Sequence, residues 1–194
     1  MQSRSFFGPV NLLLVGDSWT DDAYSHGQYA ANWPGGLVVV NEGTAAQTVQ
    51  SVAATIAADL AANPSTDICV VCSGGINDVA TRTNVQIQND VIACYDAIVA
   101  ADAQAVIVGI PRSSAWTGNG FNDRVDDIED YLSAYFAARG VPFVALKPLV
   151  SNDSGILSEY AEDAIHLNEN GAAVLAQAIL GPIKVSKWRK KAVA

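Results

Sequence analysis

Basic residues are scarce in this sequence, and nearly half of them sit at one end. Of 11 lysines and arginines, Lys184, Lys187, Arg189, Lys190 and Lys191 fall within residues 184–194, so residues 1–183 carry only six against 20 acidic side chains. A formal net charge of -9 and a pI near 4.4 argue against a nucleic-acid partner, since neutralising phosphates needs clustered Lys and Arg. Long hydrophobic runs are also missing: nothing approaches the ~20 apolar residues of a membrane span. The opening MQSRSFFGPVNLLLVGD pairs an arginine with an apolar run, but Pro9 and Asn11 interrupt the run and no small-residue cleavage site follows. It reads as a first strand rather than a signal peptide, and the location expected from that is the cytoplasm or a virion, with export by another route as the alternative. Cysteine is limited to Cys69, Cys72 and Cys94, which cannot all pair within one chain. The C-x-x-C they contain lies in DICVVC, a strand pattern in which residues three apart point to opposite faces, so buried free thiols are expected rather than a metal or redox motif.

Charged side chains make up 16% of the chain and hydrophobic ones 50%, against roughly 25% charged in ordinary domains. An ordered, rather apolar single domain is therefore expected over residues 1–183, followed by a basic C-terminal tail, 184–194, read as a frayed solubilising end or, alternatively, a dock for an acidic surface. Apolar runs recur at 10–16, 37–41, 67–73, 105–110 and 141–146, and helical patterns fill 46–62, 85–102, 123–139 and 169–180. Gly140 and Pro142 close the third helix, Asn168 caps the fourth, and Gly181-Pro182 ends it. Strands alternating with helices predict βαβ crossovers and a parallel sheet covered on both faces. In such a fold, ligands bind beyond the carboxyl ends of the strands.

Those ends are small and polar. Gly16-Asp17-Ser18 follows the first strand, Asn41-Glu42-Gly43-Thr44 the second and Gly74-Gly75-Ile76-Asn77-Asp78 the third, while Asp163-Ala164-Ile165-His166 precedes the last helix. Together they supply the parts that acyl transfer requires. Serine needs a base to take its proton, and imidazole is the usual one at neutral pH. Of the two histidines, His26 lies in a polar stretch with the marks of a surface residue. His166 has an aspartate three residues before it, a spacing at which Asp163 can accept from the imidazole and fix its tautomer. The oxyanion of a tetrahedral intermediate needs preset donors. The Ser18 N–H at a helix start, the Gly43 N–H and the Asn77 side-chain amide are candidates.

The four blocks, in that order, resemble the SGNH hydrolase superfamily of GDSL-type esterases and lipases, over residues 12 to about 180. The resemblance implies a three-layer α/β/α fold with a flavodoxin-like five-stranded parallel sheet of order 2-1-3-4-5. It implies Ser18 as nucleophile, His166 as base, Asp163 as its partner, and an oxyanion hole from Ser18, Gly43 and Asn77, with no metal or organic cofactor. Two positions depart from the family pattern: Trp19 stands where leucine often follows Gly-Asp-Ser, with the potential to re-line the acyl pocket, and Ala46 stands where a second glycine is common.

The implied activity is a serine esterase acting on short acyl esters, acetyl above all, carried by a small molecule or a glycan through an acyl-enzyme intermediate. The segments 112–121 and 23–36 are long enough to form a substrate rim, where Trp116, Trp33 and Tyr29 are candidates to stack on a sugar or line an acyl slot. A lipase or thioesterase of the same family and a non-catalytic carbohydrate-binding or structural module on this fold are the alternatives. Phosphoryl transfer with Asp17 as nucleophile and Asp21 and Asp22 holding Mg²⁺ has less support, because Lys147 is the only lysine before the tail and no Gly-x-x-x-x-Gly-Lys loop exists.

Overall fold

The computed structural model describes residues 10–21 and 37–183. Its centre is a parallel sheet of β1 (Val10–Gly16), β2 (Leu37–Asn41), β3 (Ile68–Cys72), β4 (Gln104–Val108) and β5 (Phe143–Val144) in the order β2-β1-β3-β4-β5. This is the expected flavodoxin-like order. The strands that flank the centre set the register: Leu12 lies opposite Ile68 and Val39, and Leu14 opposite Val70 and Asn41. All five residues of β3 are buried, as are Leu12 to Val15 of β1 and Ala105 to Val108 of β4. Burial on both faces explains why these segments are apolar without alternation. Each fully buried leucine in them contributes about 2 kcal/mol from the area it removes from water.

The crossover helices are α1 (Val49–Ala62), α2 (Asn84–Ala100) and α3 (Phe121–Ala137), with α5 (Glu169–Leu180) at the C-terminal end. They cover the sheet to give three α/β/α layers, with α1 packed beside α2 and α2 beside α3. Thr48 caps α1 by accepting from the Ser51 N–H. Thr83 and Gln86 form a reciprocal capping box at α2. Asn168 caps α5 as expected, accepting from the Gly171 N–H at 3.1 Å. Helix α3 stops at Ala137, two residues before the expected end, and the chain turns through Gly140 at a φ of 65°.

Strand β5 is only two residues long where six were expected. It is an edge strand paired with β4 alone, and the chain leaves it for a short helix, α4 (Lys147–Val150), started by Pro148. A hairpin of β6 (Ser151–Asn152) and β7 (Gly155–Ile156) follows. Neither was expected, because elements of two to four residues carry no readable period. Beneath this junction lies Glu129 of α3, only 6% exposed. One carboxylate oxygen accepts from the Leu146 N–H at 2.8 Å, and burial pushes the carboxyl up to about 7 against the opposing pull of the amides of Leu146, Lys147 and Ile110. All three cysteines are buried and unpaired, and burial raises each thiol; that of Cys94 is pushed up to about 12.

Candidate active site

Strand β1 ends at Gly16 because nothing larger fits there. A Cβ on this residue would lie 2.2 Å from Thr20 Oγ1 and 2.3 Å from the Cys72 carbonyl oxygen. The chain then reverses through a turn built on Asp17, whose carbonyl accepts from the Thr20 N–H at 2.9 Å and the Asp21 N–H at 3.0 Å. Its carboxylate accepts from the Trp19 N–H at 2.9 Å. The expected helix start at Ser18 is thus a hydrogen-bonded turn over residues 17–21; residues 22–36, with His26, Tyr29 and Trp33, lie outside the described residues. At the crest of this turn Ser18 is 8% exposed, whereas Asp17 is 1% exposed.

Burial pushes the Asp17 carboxyl up to about 7. The Trp19 N–H, the neighbouring Ser73 hydroxyl and His166 favour its charge, and Asp78 opposes it. Ser73 Oγ lies outside hydrogen-bond geometry, and among the described residues it is a buried hydroxyl without a partner.

Sequence positions 148 residues apart meet here. The His166 Nε2 is 3.0 Å from Ser18 Oγ, and its Nδ1 is 2.8 Å from Asp163 Oδ2. The other oxygen of Asp163 accepts from the backbone N–H groups of Ile165 at 2.7 Å and His166 at 2.8 Å. One carboxylate therefore shapes the turn and orients the ring. Partial burial alone would raise the Asp163 carboxyl, but the His166 side chain and the two amides outweigh it and hold it below the usual carboxylate range. An ionised Asp163 accepts only, so a neutral His166 carries its proton on Nδ1 and turns the Nε2 lone pair toward the Ser18 hydroxyl.

The loops after β2 and β3 are laced to this turn. Glu42 N–H donates to the Leu14 carbonyl at 2.9 Å and Thr44 N–H to the Gly16 carbonyl at 3.0 Å. Val49 N–H donates to the Asp78 carboxylate at 2.8 Å. A Cβ on Gly43 would fall 2.5 Å from Thr20 Cβ, so a glycine is required by packing against the turn that carries Ser18.

The expected oxyanion donors differ in availability. Ser18 N–H has no acceptor among the described residues. The Asn77 side chain spends one N–H on the Gln47 carbonyl at 2.8 Å, which orients the amide and leaves its second N–H. Gly43 N–H is already committed to Asn41 Oδ1 at 2.9 Å, so it must be released or shared to serve an oxyanion. The sequence placed Asn41 at the end of β2 without a role for its side chain, and Gln47, a single polar residue before α1, gave no signal.

Trp19, expected to re-line the acyl pocket, is buried next to Ser18. It is 5% exposed, and its indole N–H donates to the Ile165 carbonyl at 2.8 Å. A small cavity beside it is lined by Asp17, Trp19, Cys72, Ile76 and Pro111, among others, and admits no more than a water- or methyl-sized group. Trp116 lies in a 3-10 turn, Ser114–Trp116, half-buried with its ring edge-to-face with Phe121 at 6.3 Å. Among the described residues no three His, Cys, Asp or Glu side chains are grouped to hold a metal ion.

A hydroxyl, an imidazole and a carboxylate aligned at the carboxyl edge of a flavodoxin-like sheet define a class of α/β protein with hydrolase geometry. Comparison with known proteins makes the assignment specific. The GDSL-like lipase/acylhydrolase family matches residues 14–174, and the chain belongs to that family. No curated protein matches the sequence. Among solved structures, a GDSL-like lipase from Bacteroides thetaiotaomicron is 18% identical with a TM-score of 0.73, covering 89% of each chain. A mutant of an acetyl-xylooligosaccharide esterase from Geobacillus Stearmophilus is 18% identical with a TM-score of 0.72, covering 91% of this chain and 95% of that one. The aryl esterase of M. Smegmatis is 18% identical with a TM-score of 0.70, covering 89% and 98%. At this identity the likeness is one of fold.

Proposed function

We propose that the protein is a serine carboxylic-ester hydrolase that removes short acyl groups, acetyl foremost, through a Ser18–His166–Asp163 triad. The observation that carries this reading is the 3.0 Å approach of His166 Nε2 to Ser18 Oγ with Asp163 on the far nitrogen. His166 takes the Ser18 proton as Oγ attacks the ester carbonyl, and Asp163 stabilises the imidazolium that results. The tetrahedral oxyanion takes hydrogen bonds from the Ser18 N–H and the free N–H of Asn77, with Gly43 joining if Asn41 lets go; one such donor is worth ~10²–10³ in rate. Collapse expels the alcohol, protonated by His166, and leaves an acyl-enzyme. Water, deprotonated by the same imidazole, then releases the acid and restores Ser18.

The preference for a short acyl group is favoured by the fold likeness to an acetyl-xylooligosaccharide esterase. The same likeness favours a glycan as the alcohol, with half-buried Trp116 of the 112–121 segment as the candidate stacking ring. The test is hydrolysis of p-nitrophenyl acetate, butyrate and octanoate by the wild type and by Ser18→Ala. Turnover that needs Ser18 and falls with chain length is expected. A folded wild type that cleaves none of them, or a Ser18→Ala variant as active as wild type, refutes the reading; octanoate preferred over acetate replaces it with a lipase or thioesterase of the same family.

A further inference from the structure

The loop carrying Asp163 and His166 is held at its base by its own backbone. Ala161 bridges Leu167, Glu162 N–H donates to the His166 carbonyl at 2.9 Å, and Asn168 N–H donates to the Tyr160 carbonyl at 2.8 Å. Its tip, Ala164-Ile165, lies between the two functional side chains and is held differently. The Ala164 carbonyl accepts from the Ser113 hydroxyl at 2.8 Å, and the Ile165 carbonyl accepts from the Trp19 indole N–H at 2.8 Å.

These two donors come from separate strand-end loops, and both are rigid. Trp19 directly follows Ser18 in the turn built on Asp17, so a single peptide unit joins the nucleophile to the side chain that holds the base's loop. Ser113 is fully buried and locked by a reciprocal pair with Asn122: its N–H donates to Asn122 Oδ1 at 2.9 Å, and Asn122 Nδ2 donates to its carbonyl at 2.9 Å. Its hydroxyl also accepts from the Ala115 N–H at 3.1 Å, which aims the hydroxyl proton at Ala164. A buried indole N–H left without an acceptor is costly, so Trp19 cannot readily leave Ile165.

We propose that Trp19 and Ser113 are positioning residues, a two-point clamp on the carbonyls of Ala164 and Ile165 that keeps the His166 ring in register with Ser18. This rests on the reading of Ser18 and His166 as nucleophile and base. Neither residue touches the reacting atoms; each acts through the loop. The clamp matters because acyl transfer tolerates little error: a displacement of about 1 Å costs ~10²-fold. It also accounts for a tryptophan after Gly-Asp-Ser, since leucine has no donor to offer Ile165.

The test compares Ser113→Val with Ser113→Thr, which share a shape and differ in the hydroxyl, and adds Trp19→Phe, which keeps an aromatic ring without the N–H. Two quantities are read. The first is the rate at which a fluorophosphonate probe labels Ser18. The second is hydrogen exchange at the amides of Ile165 and His166, both bound to Asp163 Oδ1, with the amides of α2 as the internal standard for an intact fold. Ser113→Val and Trp19→Phe are expected to label about 10-fold more slowly or worse and to exchange faster at these two amides with α2 unchanged, while Ser113→Thr recovers most of the loss. Labelling and exchange like wild type, or Val and Thr variants that behave alike, overturn the clamp. Trp19→Phe removes buried volume, so if it does not fold the Ser113 pair decides. A wild type that is not labelled at Ser18 refutes the hydrolase reading instead, and the exchange measurement alone then decides whether the loop is clamped.

Discussion

Replacing Asp163 with asparagine separates the two tasks of that side chain. In the native protein one oxygen accepts from the amides of Ile165 and His166 at 2.7 and 2.8 Å, and the other faces His166 Nδ1 at 2.8 Å. Asparagine retains one acceptor and gains an NH₂. With its oxygen left on the two amides, the turn survives and the NH₂ is presented to Nδ1. A donor facing Nδ1 selects the tautomer with the proton on Nε2, which then points a hydrogen at Ser18 Oγ where a lone pair is needed. The loss expected in kcat is ~10⁴, by analogy with triads in which the same change has been made, or about 5.5 kcal/mol of transition-state stabilisation. Stability should change by less than about 1 kcal/mol, because both amide bonds persist. The assay is steady-state hydrolysis of p-nitrophenyl acetate with thermal unfolding measured in parallel. A folded Asp163→Asn protein that retains more than a tenth of the wild-type kcat refutes the argument and gives ring orientation to another group.

Glu129 predicts a pH dependence of stability. Its carboxyl is raised by burial from 4.5 to about 7, so the folded protein holds the proton more tightly than the unfolded chain; the resulting stabilisation is complete below about 4.5 and is lost as pH rises through 7. Glu129→Gln keeps an acceptor for Leu146 and removes the titration, so its urea-unfolding stability should fall less between pH 4.5 and 7.5 than that of wild type, by up to ~3 kcal/mol; parallel curves for the two proteins count against a protonated Glu129. The exposed Ala46 has a φ of 63°, a left-handed conformation that costs a non-glycine residue roughly 1–2 kcal/mol. Set against the greater freedom glycine brings to the unfolded chain, Ala46→Gly should raise stability by about 0.5–1 kcal/mol in chemical denaturation, and a lower unfolding midpoint would contradict this.

The legible parts of the fold were those with long periodic patterns. Strands β1 and β2 have the expected bounds, and the buried centre, β3 and β4, is displaced by one or two residues at the ends. The sheet order was implied by the resemblance to the SGNH hydrolases, and the pairing of Asp163 with His166 by their three-residue spacing. What the sequence did not reveal depends on single hydrogen bonds, some local and some between distant loops. Nothing in the neighbourhood of Asn41 announces that its side chain occupies the Gly43 N–H. Nothing around Ser113 announces a partner 51 residues away. The hydrogen bond of the Trp19 indole N–H to the Ile165 carbonyl, which draws the ring into the core, has no signal in the sequence either.

The aspartate of Gly-Asp-Ser illustrates how burial decides between two chemistries. As a nucleophile for phosphoryl transfer, Asp17 would have to be ionised and open to an incoming phosphate. It is 1% exposed, closed to a phosphate, and burial pushes its carboxyl up to about 7, against ionisation. What its atoms do is internal: the carbonyl closes the turn on Thr20 and Asp21, and the carboxylate holds the Trp19 N–H. Asp78 is spent in the same manner, on the Val49 N–H and on Arg82. Each aspartate fixes one strand-end loop, and between them Ser18, less deeply buried than Asp17, has the His166 imidazole in reach. Asp17→Asn should therefore disturb the turn and lower activity by moving Ser18, with the loss appearing in kcat and thermal stability together. An Asp17→Asn protein with full stability and no turnover would assign Asp17 a direct part in the chemistry and reopen the phosphoryl-transfer reading.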